Sequence, residues 1–414
     1  MIRFPFSAFL IALFLLFNTG CSEKNYFEPE NVEGSVNYDG ELPAPIVEVG
    51  YEAATLENGQ VVTKAGLQSY RLPEGYRYIA QSGTLVAAAG DCRPNIIYNT
   101  ETNETVTVDL PRRLLAALFI PGTENIAFLI EGNSYGIYDY GAKKIVAKYA
   151  SDQAVTADIR IANPMMLEQL VLIPTLDGKL VILNKTTGEK VREIIVGKGE
   201  EFNNIIFLDV IGNRLVAATP HRIISVSPKL MDAQSMEISD VIFVADGIYI
   251  LAKDGNIYHC DTDLKILHSL KFPFAHFVGA IYGEFIYVIE REGYVIATDQ
   301  ILSTSNVFEI PDRIDDWLFT TEDALYYKRY YFKLHADVQE SGNEAVTEER
   351  KGGAAESAAE EREISAEASV KEESDDLSTQ KSGEEEESWF SDIWNALKKM
   401  TEPDENEDSV KEAE

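Results

Sequence analysis

The sequence predicts an all-β chain folded as a β-propeller of seven or eight four-stranded blades, eight being favoured, followed by an acidic tail. Three observations point there. One hairpin sentence is rewritten along the chain: "DGKLVILNKTTGEKVREIIVG" from Asp177 returns as "DGNIYHCDTDLKILHSLKF" from Asp254 and "EGYVIATDQILSTSNVFEI" from Glu292, with looser copies at Arg93 and Asn133. The polar residues that close the recurring apolar run, Thr63, Asn99, Asp139, Asn184, Ser227, Asp261 and Asp299, lie 34 to 45 residues apart. A period near 40 residues holding about four short strands is the signature of a propeller blade. Between Pro45 and His335, finally, no segment of convincing length carries the 3.6-residue period of a helix.

In chain order, residues 1–20 read as a signal peptide. Arg3 supplies a short positive region, and Phe4 to Phe17 form an apolar stretch too short to span a membrane comfortably. It ends at Asn18-Thr19-Gly20-Cys21, which resembles a bacterial lipoprotein signal with Cys21 as the lipidated residue; an ordinary secretory signal is the alternative. Several acyl chains anchor a protein stably where one does not, and Ser22 in the next position implies sorting to the outer membrane. Residues 21–44 are polar and turn-rich and read as a tether. Residues 45–335 form the propeller, where a four-stranded unit buries both faces only by stacking on its neighbours. The partial unit from Asp315 to His335 is expected to close the ring by pairing with N-terminal strands, since circular closure protects sheet edges; a stacked solenoid is the competing architecture.

The composition then changes. The chain carries 69 acids against 36 bases, a net charge of −33. Residues 336–387 are acidic with almost no large apolar side chains, so they cannot offset their ordering entropy and are expected to be disordered. "SWFSDIWNALKKM" (388–400) breaks that pattern. On a helical wheel Trp389, Phe390, Ile393, Trp394, Ala396, Leu397 and Met400 share an arc of about 160° free of polar residues. Glu384–Glu387 before it and Lys398–Lys399 at its end suit a helix dipole. Residues 401–414 are again acidic.

Charge excludes one partner class: neutralising a phosphate backbone needs clustered Lys and Arg, so nucleic acid is not expected. Catalysis finds no linear motif. The five histidines lie in different units without ligand spacing, and no metalloprotease helix, nucleophile elbow or phosphate-cradling glycine loop occurs. His259 and Cys260 should point to opposite faces of one strand. The acidic pairs Asp315/Asp316 and Glu290/Glu292 read as solvated turns. Cys92 and Cys260 read as small buried residues, with a long-range disulfide as the alternative. No catalytic residue, metal or cofactor is therefore expected. Glu101-Thr102-Asn103-Glu104-Thr105 fits an extended bacterial acceptor sequon, making Asn103 a candidate glycosylation site.

"DGKLVILNKTTGEKV" resembles the strand-turn repeat of quinoprotein-like (PQQ-like repeat) propellers, and with Cys21 the chain resembles the BamB-like propeller lipoproteins. The resemblance spans about Thr55 to Leu334. It implies a lipid-anchored envelope protein at the outer membrane, facing the periplasm, that binds periplasmic or outer-membrane proteins during outer-membrane assembly. Quinone enzymes of this fold carry a tryptophan near the close of most repeats; here Arg192 follows Val191, and Trp317 is the single tryptophan of the repeat region. That departure counts against a quinone. The expected function is accordingly a scaffold, not an enzyme, with Trp389, Phe390, Ile393, Trp394 and Leu397 as a second, helix-in-groove contact to another protein; the alternatives for this segment are folding back on its own propeller and lying on a membrane surface. The alternatives are a propeller enzyme or carbohydrate-binding lipoprotein with its site in the central channel, and a purely structural surface lipoprotein.

Overall fold

The computed structural model describes residues 26–334, apart from 153, 155–159, 198–202 and 228–229. The segment read as a signal peptide, Cys21, and the residues read as acidic linker, 388–400 motif and acidic terminus lie outside the described residues.

The described chain forms eight sheets. Blades 1 to 7 occupy residues 46–71, 76–108, 114–150, 165–195, 207–235, 238–271 and 277–309, each an antiparallel meander whose strands follow chain order from the axis outward. The rewritten hairpin is the third and outermost strand of a blade, as in Lys179–Asn184 and Lys190–Ile195.

Its recurring residues answer two geometric demands. The polar residue closing the third strand caps the turn that follows. Asn184 Oδ1 accepts Thr186 N and Thr187 N at 2.9 and 3.0 Å, and Asn99 Oδ1 accepts Glu101 N and Thr102 N at 2.9 and 3.1 Å. The glycine after the aspartate serves the other end. Gly178 and Gly255 adopt φ of +77° and +83° between the second and third strands. Their carbonyls accept Val196 N and Phe272 N, where the outermost strand leaves the blade. A side chain there would meet that passing backbone, at 2.9 Å from Asn203 O for Gly178.

The core is divided among the gaps between blades. Eight apolar clusters occur, each drawn from two adjacent blades. In blade 3, Ile126, Phe128 and Ile130 face blade 2 while Ala127 and Leu129 face blade 4, and all five are essentially inaccessible. A strand buried on both faces reads as a continuous apolar run, which is why "NIAFLI" shows no alternation. Full burial of each such side chain contributes roughly 1.5–3 kcal/mol.

Blade 8 takes three strands from the end of the described chain, Leu318–Thr320, Ala324–Tyr327 and Tyr330–Lys333, and its outermost strand, Gly40–Glu41, from the beginning. The expected closure is therefore present, with eight blades. The tether reading of residues 21–44 is corrected over its described part. Phe27 is buried between blades 6 and 7, with its ring edge-on to Phe272 and Tyr294 at centroid distances of 6.0 and 5.6 Å. Gly34–Ser35 then adds a parallel fifth strand to blade 7, and Leu42 enters the cluster between blades 8 and 1. A polar segment does this because two-residue strands need only backbone hydrogen bonds and an occasional apolar anchor.

Gly255→Ala should destabilise the fold by more than the roughly 1–2 kcal/mol of a left-handed non-glycine residue, because its Cβ would also overlap Phe272 O. Gly212→Ala, at φ +55° with no atom within 4 Å of the added carbon, should lose the backbone contribution alone. Urea titration of both variants makes the comparison.

Candidate functional site

The inner strands of the blades surround a central channel, and polar side chains reach it one blade at a time. On one side Glu48 of blade 1 accepts Arg113 Nη2 of blade 3 at 2.6 and 2.8 Å, with Arg77 Nε of blade 2 at 3.8 Å. Three blades are thereby cross-linked through one carboxylate.

Across the axis lies a cavity of about 690 Å³, bounded by blades 1, 5, 6, 7 and 8. Phe277, Ile314 and Phe319 give it an apolar wall, and the half-buried Trp317 stands beside them. Tyr51 and Lys64, from turns of blade 1, form its floor. Burial raises the Tyr51 phenol well above its ordinary range, reinforced by Asp209, Asp240 and Glu52. Lys64 Nζ donates to Thr320 O at 2.7 Å and stands 4.8 Å from the Phe319 ring centre. Water reaches Lys64 through the cavity, but protein surrounds it on most sides. Burial therefore lowers its pKa, opposed by Asp240, Glu52 and Glu322. Arg160 donates to Ser239 O and lies 4.0 Å from Asp240. Burial raises the Asp209 carboxyl, against a hydrogen bond from Val210 N.

An apolar wall with separated cations above a polar floor suits the binding of an amphipathic group. None of these residues was singled out from the sequence. They come from several blades, so no local spacing announces them. Trp317 is the one exception, since its rarity in the repeat region was visible.

Of the other residues singled out, His276, Asp315 and Asp316 also line the cavity, and the rest are scattered. His259 and Cys260 do face opposite sides: Cys260 packs toward blade 5, and His259 stacks on Tyr249 with ring centres 4.4 Å apart. Both cysteines are free thiols. Cys260 is buried, but Cys92 is exposed in a turn at φ +55°, which corrects the buried reading and leaves no disulfide between them. Asp315 pairs with Lys328 at 2.9 Å, and Asp316 caps Trp317 N. Glu290 departs from the solvated-turn reading. It is fully buried, accepts His276 N at 3.0 Å and Glu292 N at 2.7 Å, and has its pKa raised by that burial. Asn103 is exposed at φ +60° and accepts the Tyr98 hydroxyl at 2.6 Å. Among the described residues no three His, Cys, Asp or Glu side chains group as metal ligands.

No family model matches the chain. Two similar curated proteins are both plasminogen-binding protein PgbB of Helicobacter pylori. In strain 26695 the match is 26% identical over 412 residues, covering 84% of this chain and 76% of the relative. In strain J99 it is 26% identical over 383 residues, covering 79% and 70%. Among solved structures, BamB from Moraxella catarrhalis aligns at TM-score 0.55 and 16% identity, over 70% of this chain and 97% of that one. The C-terminal WD40 domain of Sif2 aligns at 0.56 and 12%, over 74% and 100%. These structural likenesses establish the fold as a BamB-like propeller.

Among the described residues His259 has no hydrogen-bond partner on either ring nitrogen, and burial, followed by the nearby His268, depresses its pKa against a smaller opposite effect of Asp246. A depressed histidine stabilises the fold fully above its unfolded pKa of about 6.5 and loses that contribution as pH falls toward the folded value. His259→Phe keeps a ring against Tyr249 and removes the titration. Urea unfolding at pH 7.5 and pH 5 should show wild type losing stability relative to the variant at the lower pH; a constant difference refutes the assignment.

Proposed function

We propose that this chain is a lipid-anchored envelope protein whose propeller binds protein partners and catalyses no reaction. The observation that carries this reading is the match to two proteins named for binding a protein, extending over 84% of this chain in the longer case. The ring supplies a suitable surface. Leu230, Phe285 and Ile301 are 54%, 41% and 55% exposed and sit in turns between first and second or third and fourth strands, hence at one end of the propeller. Exposed apolar side chains gathered at loop tips on a rigid scaffold fit a partner-binding face. Trp389, Phe390, Ile393, Trp394 and Leu397 supply a second contact to a groove on a partner, Cys21 the membrane attachment, and Asn103 a glycan acceptor, its turn being open to solvent.

The partner class implied by the sequence resemblance is periplasmic and outer-membrane protein, in outer-membrane assembly. The similarity to PgbB favours a second reading, plasminogen at the cell surface.

Protease treatment of intact cells separates the two, since a periplasm-facing chain is protected and a surface chain is cut. The expected result for the first reading is protection, together with crosslinking to envelope proteins that falls at least about tenfold in a Leu230→Ser/Phe285→Ser/Ile301→Ser variant, as loss of a binding hot spot allows. Cleavage on intact cells with plasminogen captured by the purified chain supports the second. Crosslinking unaltered by the triple variant and no plasminogen binding would overturn both. Intact mass of the native protein reads the acyl groups on Cys21 and any glycan on Asn103.

A further inference from the structure

The central cavity has an occupant that fits it within the same chain. Lys253 and Arg291, from turns between second and third strands, line it at the end of the ring where successive blades are joined, and Tyr51, Lys64 and Thr320 line it at the other end. The cations Lys64, Arg160, Lys253 and Arg291 outnumber the acids Asp240, Asp315 and Asp316 on its lining, in a protein of net charge −33. Asp315 is engaged by Lys328, Asp240 lies near Arg160, and Lys253 pairs with Glu237 at 3.2 Å. Arg291 is exposed and makes no ion pair or side-chain hydrogen bond among the described residues. The lining thus carries one cation more than it has acids, with Arg291 unpaired among the described residues, beside an aromatic wall on an acidic molecule.

The 388–400 segment has the complementary chemistry. Glu384–Glu387 lead directly into Trp389 and Phe390, with Asp392 between them and Trp394. The described chain ends at Leu334, after the third strand of blade 8 and hence at the end of the ring that bears Leu230 and Ile301; the inner strand of the same blade, Leu318–Thr320, lines the cavity. Residues 336–387 supply the connection, and random-coil scaling gives a chain of that length a root-mean-square span of about 40 Å. A ligand on such a leash meets its site at an effective concentration that reaches the millimolar range for short flexible linkers.

We propose that Trp389 and Phe390 dock in cis in the central cavity, with Glu384–Glu387 and Asp392 toward Lys253, Arg291 and Arg160. This goes beyond the partner-binding reading and does not need it. Aromatic rings leave water for the wall formed by Phe277, Ile314 and Trp317, and the acidic run finds the cationic mouth. Leu230, Phe285 and Ile301 lie at the end of the ring opposite Lys253 and Arg291. A partner groove that takes up Trp389 and Phe390 must first displace them, so the cavity sets the threshold for engaging the tail.

The test uses the purified full-length chain without any partner. A benzophenone amino acid replaces Phe390, the protein is irradiated at two concentrations tenfold apart, and the adducts are mapped by mass spectrometry. Docking in cis gives crosslinks to residues 277–279 and 314–320 with a yield independent of concentration. An Arg291→Glu/Lys253→Glu variant should reduce that yield by about threefold or more, as reversal of two exposed charges allows. Its melting temperature shows whether the ring is intact, and Arg291→Lys should retain most of the yield. Adducts elsewhere on the ring, adducts between chains, no adducts, or a yield indifferent to charge reversal in a folded variant would each overturn the proposal. None of these outcomes depends on which protein the chain binds.

Discussion

A four-stranded blade in this chain has two apolar faces and can bury neither alone. That single constraint organises the molecule. Each of the eight clusters is shared between two blades, so removing one blade would bare two others. The cluster between blades 8 and 1, with Leu42, Leu56, Phe319 and Tyr326, is the one that turns a row of sheets into a ring. It depends on a strand of two residues, Gly40–Glu41, held to Tyr330–Lys333 from the other end of the described chain.

Closure also creates the channel. Once the ring is shut, inner-strand residues from distant repeats face one another, and charge can be balanced across the axis. Glu48 takes Arg113 from two blades away, and Lys64 reaches from blade 1 to the backbone of blade 8 at Thr320. The cavity beside them is a product of geometry as much as of residue choice, which is why a propeller can gain a binding site without altering its repeat. The loop tips at the opposite end are independent of it. A protein of this design can hold one ligand on its axis and another on its face.

The repeat was legible in the sequence because it encodes local backbone demands. Only a short polar side chain caps the turn after Asn184 or Asn99, and glycine meets a left-handed position such as Gly178 with least strain, so these residues recur. The closing strand was legible as a need but not as a place. Gly34–Ser35 and Gly40–Glu41 are too short to show alternation, and their partners lie some 270 to 290 residues away. The segment therefore read as tether. Glu290 read as a solvated turn because its neighbours Arg291 and Glu292 are polar; its burial follows from His276 passing overhead. Cys92 was expected inside on residue type alone, while its turn position decided otherwise. Trp317 apart, the channel residues left no local signal, since the polar ones sit singly or in pairs in strands and turns and the apolar ones look like any other core residue.

Ring closure can be tested by a covalent trap. Leu42 N donates to Arg329 O at 2.6 Å, which makes Glu41 and Tyr330 a non-hydrogen-bonded antiparallel pair, with α-carbons about 4.5 Å apart and within disulfide reach. In a chain lacking Cys92 and Cys260, the Glu41→Cys/Tyr330→Cys variant should oxidise within the monomer. The crosslink should raise stability by about 2–4 kcal/mol over its reduced form. A variant that stays reduced under mild oxidant, or that forms only intermolecular disulfides, would contradict a ring closed by its N-terminal strand.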